Sequence, residues 1–235
     1  RGPEAEKLLG AEGFTLGHFP QSFEYATIGG FAATRSAGQS SSGYGRFDSM
    51  VSSVRLIAPA AELSTLDTPH TAIGPALREM VIGSEGIFGV IPAVDVRIRP
   101  APAMRRYEAW IAEDFRSGNE IMRDLAQAGL LPTIARVSDE AETRVSLASA
   151  VPSGVAGSAF KGYLGLRGRS GGSLVIVGIE GTSDHVRRTR PELARRLRNG
   201  GAVYLGQGAG NGWSKGRFHG PYLRETLLDR GVLVE

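Results

Sequence analysis

PQSFEYATIGGFAATRSAGQSSSGYGRFDSMV, residues 20–51, decides how the rest of the chain is read. It is crowded with Gly, Ser, Thr and Ala and nearly empty of large apolar side chains, so it cannot build a core of its own. Such a segment brings main chain close to something else, because glycine has no Cβ and tolerates positive φ. Gly29, Gly30, Gly38, Gly43 and Gly45 supply close-approach points, with the hydroxyls of Ser22, Thr27, Thr34 and Ser36 between them. Arg35 is the one fixed positive charge in its first half. Main-chain amides, hydroxyls and one guanidinium suit an extended anionic ligand such as a dinucleotide. A flexible polar loop is the competing reading, and composition by itself does not choose between them.

A second glycine cluster, GSEGIFG at residues 83–89, makes the choice. Before it, Pro75 suits the first turn of a helix and Leu77, Met80 and Val81 recur at helical spacing. Gly83 fits the left-handed residue that follows a last helical turn. Beyond Gly89, Val94, Val96 and Ile98 alternate with Asp95, Arg97 and Arg99, the pattern of a half-buried strand. The cluster is therefore a tight helix-to-strand turn, with its backbone exposed at the edge of packed structure.

The 235 residues are enough for one large domain or two small ones. With 41% hydrophobic and 22% charged residues the composition is that of a soluble globular protein. A formal charge of +3 does not argue for nucleic acid. No apolar run is long enough to span a bilayer and the start has no secretory pattern, which makes a cytoplasmic location the expectation. The lack of cysteine excludes disulfides, thiolate–metal sites and cysteine nucleophiles.

In chain order, short helices are expected over residues 3–9 and 27–34, a strand over 50–57, a turn over 58–62 and a polar loop over 64–71. Pro100-Ala101-Pro102 ends this first α+β unit. Next come a strand at 107–111 and a helix carrying Ile121, Met122, Leu125 and Ala128, stopped by Gly129. A strand at 133–137, a helix at 139–147, a strongly apolar strand at 174–180, a basic helix to Arg198 and a strand at 202–205 follow. Without the helix at 139–147 this order is β-α-β-β-α-β, the ferredoxin-like arrangement. Residues 151–173, rich in Gly and Ser, read as a long loop, and Pro191 implies a kink or a late start in the basic helix. A final helix has Pro221 in its first turn, Leu223 and Leu227 on one face and Gly231 at its stop.

Several constellations reduce to structure. Gly168-Arg169-Ser170-Gly171-Gly172 matches a nucleophile-elbow spacing, but the strand follows it instead of preceding it, so it is a loop. Residues 206–212, GQGAGNG, follow a strand but miss the G-x-G-x-x-G spacing because Asn211 stands in the last place, leaving a mobile substrate-side loop. His18, His70, His185 and His219 are scattered without metal-ligand spacing, and no metal is expected. Arg187, Arg188, Arg190, Arg195, Arg196 and Arg198 read first as a solvated helix face, and second as a membrane or acidic-partner patch.

TLGHFPQSFEYATIGGFAATRSAGQSSSGYG followed by GSEGIFGVI resembles the flavin-binding domain of the vanillyl-alcohol oxidase (PCMH-type) family of FAD enzymes. ATRSAG after TIGGF is most similar to the alkyl-dihydroxyacetonephosphate synthase branch, and the likeness continues through GRFHGPYLRETLLDRGVLVE. The resemblance implies an α+β fold: the second subdomain of a PCMH-type FAD-binding domain over residues 1–102, then a ferredoxin-like substrate (cap) domain over 103–235. It also implies non-covalent FAD in an extended form and exchange of an acyl for an alkyl group in ether lipid synthesis, without net oxidation. Family members continue on both sides of the matching region, so the chain is expected to be an internal fragment, with the catalytic acid–base group outside it.

The positions matching the flavin motifs are Pro20, Gln21, Ser22, Phe23, Glu24, Tyr25 and Ala26, then Gly29, Gly30, Ala33, Thr34, Arg35 and Ser36. The second motif matches Glu85, Gly86, Ile87, Phe88, Gly89, Val90 and Ile91. Backbone amides would meet phosphate and ribityl oxygens, and Ile87 and Val90 would pack under the cofactor. Gln21 stands where the family has Asp, and Ile87-Phe88 where it has Thr-Leu. Arg224 matches a substrate-binding arginine, suited to holding a carboxylate or phosphate, against a plain reading as the wet neighbour of Glu225. Arg136 matches an arginine near the flavin, against an ion pair with Asp139. The implied partners are a small-molecule or lipid-phosphate substrate and no nucleic acid, with peripheral membrane contact and a homodimer left open. Two other functions stay in view: an FAD-linked oxidase or dehydrogenase of a D-2-hydroxy acid such as lactate or glycolate, and an inactive fragment unable to hold FAD alone.

Overall fold

The computed structural model describes residues 1–68, 74–150, 154–218 and 220–232. The chain forms two compact units: Arg1–Ala101 with Phe218–Glu235, and Pro102–Arg217. The break falls at the Pro-Ala-Pro punctuation. The last segment groups with the first unit, not with residues 103 onward as expected, because Phe218 packs against the first unit's core.

The first unit opens with α1 (Gly2–Ala11), β1 (Phe14–Thr15), α2 (Ile28–Ala33), α3 (Ser41–Tyr44) and α4 (Phe47–Met50). It continues with β2 (Val51–Ile57), β3 (Glu62–Ser64), α5 (Leu77–Val81), β4 (Val90–Val96) and β5 (Arg99–Pro100). β2 is the centre of an antiparallel sheet of order β3-β2-β4, and β1 pairs with β5. Phe31, Phe47, Met50, Val54 and Ile82 form the centre of its core. The stretch 20–51 therefore does supply core, against the reading from its composition, because Phe23, Phe31, Phe47 and Met50 all turn inward. β3 was not legible as a strand: the turn closed by the Ala58 amide on the Ala61 carbonyl (2.9 Å) brings Leu63 opposite Leu56. The alternation read through Ile98 ends at Val96, where the chain leaves to pair Arg99 with Thr15 and leaves Ile98 exposed.

The second unit runs β6 (Met104–Ala112), α6 (Phe115–Gln127), β7 (Ile134–Val137), α7 (Glu140–Ala150) and α8 (Val155–Leu166). β8 (Ser173–Gly181), α9 (Ser183–Asn199), β9 (Val203–Gly206) and α10 (Gln207–Gly216) complete it, and α11 (Gly220–Leu228) follows. Its sheet has the order β7-β8-β6-β9 with every pair antiparallel, the ferredoxin-like topology. β8 is buried along almost its whole length, as its unbroken apolar run requires. α6 and α9 cover one face through Ile121, Leu125, Leu193 and Leu197 over Trp110 and Val177. Tyr107, Ala109, Ile134 and Ile176 line the other face, against Trp213 of α10.

Three expectations fail here, each for a physical reason. The long loop at 151–173 contains α8, an apolar segment whose small residues permit a helix despite their low intrinsic preference. The glycine loop at 206–212 is helical from Gln207 onward as part of α10, which runs against β6, and Gly210 is where the two backbones meet: a Cβ there would come within 2.6 Å of the Tyr107 carbonyl. Packing overrides propensity. Pro191 neither breaks nor delays the basic helix, which runs unbroken from Ser183 with Val186, Leu193, Ala194 and Leu197 anchored in the core.

Candidate functional site

The first unit joins the two glycine-bearing turns through the short helix α2. Thr27 caps the helix by accepting the Gly30 amide on its hydroxyl at 3.0 Å. At the other end Arg35 is left-handed (φ +47°), with Ser36 N–H donating to the Phe31 carbonyl at 3.0 Å and Arg35 N–H to that of Ala32 at 3.3 Å. This is a Schellman ending in which arginine takes the place usually held by glycine.

What holds Arg35 there is α4, α5 and the second turn together. Its guanidinium reaches Asp48 and Glu79, both at 3.2 Å, and the Glu79 carbonyl at 2.8 Å. Its aliphatic stem lies over Gly83, where a Cβ would sit 2.7 Å from Arg35 Cγ. Gly83 N–H donates to the Ala32 carbonyl at 3.0 Å and Glu85 N–H to the Ala33 carbonyl at 2.9 Å. Gly83, Glu85 and Gly86 all have positive φ. At the helix start, Gly29 lies so close to the Ile91 carbonyl that no side chain would fit. The two motifs therefore meet along α2.

Arg35 is consequently not the free cation that its sequence context suggested, because two carboxylates and a carbonyl already hold it. Burial pushes the Asp48 carboxyl up, but hydrogen bonds and charge from Arg46 and Arg35, with the Ser49 amide, outweigh it and leave the pKa lowered. The amides of Ile28, Gly29, Gly86 and Phe88, by contrast, form no hydrogen bond with the described residues. Around them Ile87, Phe88 and Val90 are exposed, Ile87 by 78% and Val90 by 70%. A Cβ at Gly86 would meet open space.

The loop before α2 is closed by its own backbone: Phe23 N–H donates to Pro20, and Tyr25 and Ala26 N–H both donate to Ser22, at 2.9–3.0 Å. Pro20 and Phe23 are buried, while Gln21, Ser22 and Tyr25 are exposed. Glu24 and Ala26 are half-buried, as are Gly30, Ala33 and Gly89, and Thr34 is exposed.

His18 is 1% exposed; its Nε2 lies 2.9 Å from Ser36 Oγ and its ring packs edge-on against Phe31. Burial pushes its pKa down to about 4, so it is neutral and hydrogen-bonding. Its support of the Arg35 turn had only one sequence signal, its place just before Pro20.

Arg224 is exposed on α11. Arg136 pairs with Glu142 instead of Asp139 and lies near Ser138 Oγ, because α7 begins after Asp139 and turns Glu142 toward β7. The Arg cluster of α9 is largely matched: Arg187 to Asp184, Arg190 to Glu108, Arg195 to Glu192, and Arg196 to Asp124 and Glu192. A polar cluster unseen in the sequence lies in the second unit, where the buried Tyr107 hydroxyl donates to Glu180 at 2.5 Å and burial, then that bond, push the phenol's pKa up. His70 and His219 lie outside the described residues. Among the described residues no group of three His, Cys, Asp or Glu could hold a metal, and no helix is long and apolar enough to cross a membrane.

Uncommitted amides, room at Gly86 and exposed apolar side chains beside them fit a ligand with an anionic, hydroxylated arm and a flat apolar part. That donor set suits FAD.

The class agrees: residues 1–67 match the family model described as an FAD binding domain. More particularly, the chain is similar over nearly all of its length to two curated alkyldihydroxyacetonephosphate synthases. It is 34% identical to that of Trypanosoma brucei brucei over 236 residues, covering 97% of this chain and 38% of the enzyme. A solved alkyldihydroxyacetonephosphate synthase superposes with a TM-score of 0.84 at 31% identity, over 97% of this chain and 43% of that one. A D-lactate dehydrogenase of Anaerostipes hadrus is 32% identical over 81 residues, 34% of this chain and 17% of that enzyme. The chain thus spans about two fifths of the length of the synthases it matches.

Proposed function

We propose that the chain is the flavin-contacting and substrate-contacting part of an FAD enzyme of the alkyldihydroxyacetonephosphate synthase type, exchanging an acyl for an alkyl group on a lipid phosphate. One observation carries the reading: the 33–36 and 83–89 turns are hydrogen-bonded to each other and leave amides free beside exposed apolar side chains. In it the amides of Ile28, Gly29, Gly86 and Phe88 meet phosphate and ribityl oxygens, and Ile87 and Val90 pack against the apolar ring system. Arg35 shapes the site by joining its two turns, while Arg224 offers its guanidinium to the substrate's phosphate. Residues 102–217 form the substrate (cap) domain. FAD, when bound, supplies the chemistry, and the protein holds and orients it. Because four of the six α9 arginines (Arg187, Arg190, Arg195 and Arg196) are already matched to carboxylates, that face is not assigned to a membrane.

Titration of the purified chain with FAD, followed by quenching of flavin fluorescence, tests the binding half; a titration without saturation defeats it. Anaerobic mixing of the full-length enzyme with D-lactate or glycolate tests the reaction class. Flavin absorbance is expected to persist, and its bleaching would identify a 2-hydroxy-acid oxidase instead.

A further inference from the structure

Phe218 and Tyr222, almost two hundred residues from the loop before α2, meet three consecutive residues of it. The Phe218 ring stacks on Phe23 at 5.4 Å between centroids and 25° between planes. The Tyr222 ring lies 5.6 Å from that of Tyr25, and its hydroxyl donates to Glu24 Oε2 at 2.5 Å. That bond, and then one with Tyr25, push the phenol above its ordinary pKa. On the loop's other flank, Gly2 N–H donates to the Ala26 carbonyl at 3.3 Å, and Gly2 sits against the Phe23 ring too closely for a side chain. Meanwhile the amides of Gln21, Ser22 and Glu24 form no hydrogen bond with the described residues.

We infer that Tyr222 is a positioning residue: through Glu24 and Tyr25 it latches α11 onto the 20–26 loop and holds that loop's free amides in the conformation that receives the flavin nucleotide. The flavin role rests on the function proposed above, whereas the latch does not. The ring contacts and the hydroxyl bond add to the loop's own three backbone turns, the Gly2 tie and the burial of Phe23, and they act on its exposed flank, where Tyr25 and Tyr222 are half in water. A short charge-assisted hydrogen bond is the strongest single tie available there.

The test is a double-mutant cycle in the full chain: Tyr222→Phe, Glu24→Gln and both together, with Tyr222→Ala as the larger lesion. Hydrogen exchange at the amides of residues 21–26 reports the latch, and FAD titration by fluorescence quenching reports its use. Each single substitution is expected to speed loop exchange and weaken FAD binding about three- to tenfold, with the double variant no worse than either single. Tyr222→Ala is expected to exceed Tyr222→Phe. Unchanged loop exchange, or strictly additive effects, overturns the latch. Faster exchange with unaltered FAD affinity overturns the positioning role. A wild-type chain that does not bind FAD overturns the functional reading and the flavin role with it, while the exchange cycle still decides the latch.

Discussion

The amide of Glu85 donates to the carbonyl of Ala33 across 2.9 Å, joining two turns about fifty residues apart in sequence. Each contains a left-handed residue other than glycine, Arg35 at φ +47° and Glu85 at +51°. Such residues cost about 1 kcal/mol apiece and persist where surrounding contacts over-determine them. Here the contacts are each other's.

Glycines at this junction are expected to divide by what their Cβ would meet. Gly29→Ala drives a methyl into the Ile91 carbonyl and should separate α2 from β4, destabilising by about 2–3 kcal/mol. Gly86→Ala meets open space within the protein, so its loss should be confined to the backbone strain of φ +87°, about 1–2 kcal/mol, while the methyl takes up room beside the free amides that a ligand would use. Urea unfolding separates the two stabilities, and FAD titration should show Gly86→Ala impaired out of proportion to its stability.

Arg35→Met keeps the stem over Gly83 and removes the charge. Asp48 retains Arg46 at 2.6 Å but loses its second partner, and Glu79 loses its hold on the turn. Because the Arg35 side chain is about one third exposed, the loss should be about 1–2 kcal/mol. If binding of FAD survives with affinity unchanged at full stability, Arg35 has no part in shaping the site.

Acid sensitivity should report His18. Its folded pKa, about 4, lies below the ordinary histidine value, so between roughly pH 6.5 and 4 the unfolded chain binds the proton that the fold refuses. Stability is therefore full above that window and falls as pH drops through it, by up to about 3 kcal/mol. His18→Gln, which keeps a donor for Ser36, should flatten this limb of a urea-midpoint-against-pH curve. An unchanged slope would mean that another group carries it.

α10 offers a pair of substitutions with opposite signs. At Gly212 nothing lies within 4 Å of a new Cβ, so Gly212→Ala should stabilise by about 0.5–1 kcal/mol through helix preference and lost freedom in the unfolded chain. Gly210→Ala puts the same methyl 2.6 Å from the backbone of Tyr107 and Glu108 and should destabilise by more than 2 kcal/mol. Thermal melts of both variants decide whether α10 is docked on β6 in solution.

Much of this was legible one residue at a time. The short helix starting near Thr27, the Gly83 and Gly129 stops, the alternation of β4 as far as Val96 and the continuous apolar run of β8 are local signals, each acting within a turn or a strand. The glycine segment at 206–212 was misread for the complementary reason: its preference says loop, and only contact with β6, a hundred residues earlier, makes it a helix. Likewise β3 exists because β2 offers it an edge, which three residues of sequence cannot announce.

The candidate site divides along the same line. Residue order alone determined that two glycine-bearing turns carry accessible amides and hydroxyls, because absent side chains are a property of the residues themselves. That Phe23, Phe31, Phe47 and Met50 of the first stretch also build the core was decided by packing. Which amides stay free, that Arg35 is consumed by Asp48 and Glu79, and that Tyr222 reaches Glu24 were decided only when the chain packed. Hydrogen bonds and ion pairs are satisfied by whichever partner folding brings within about 3 Å, and that partner can lie anywhere along the chain.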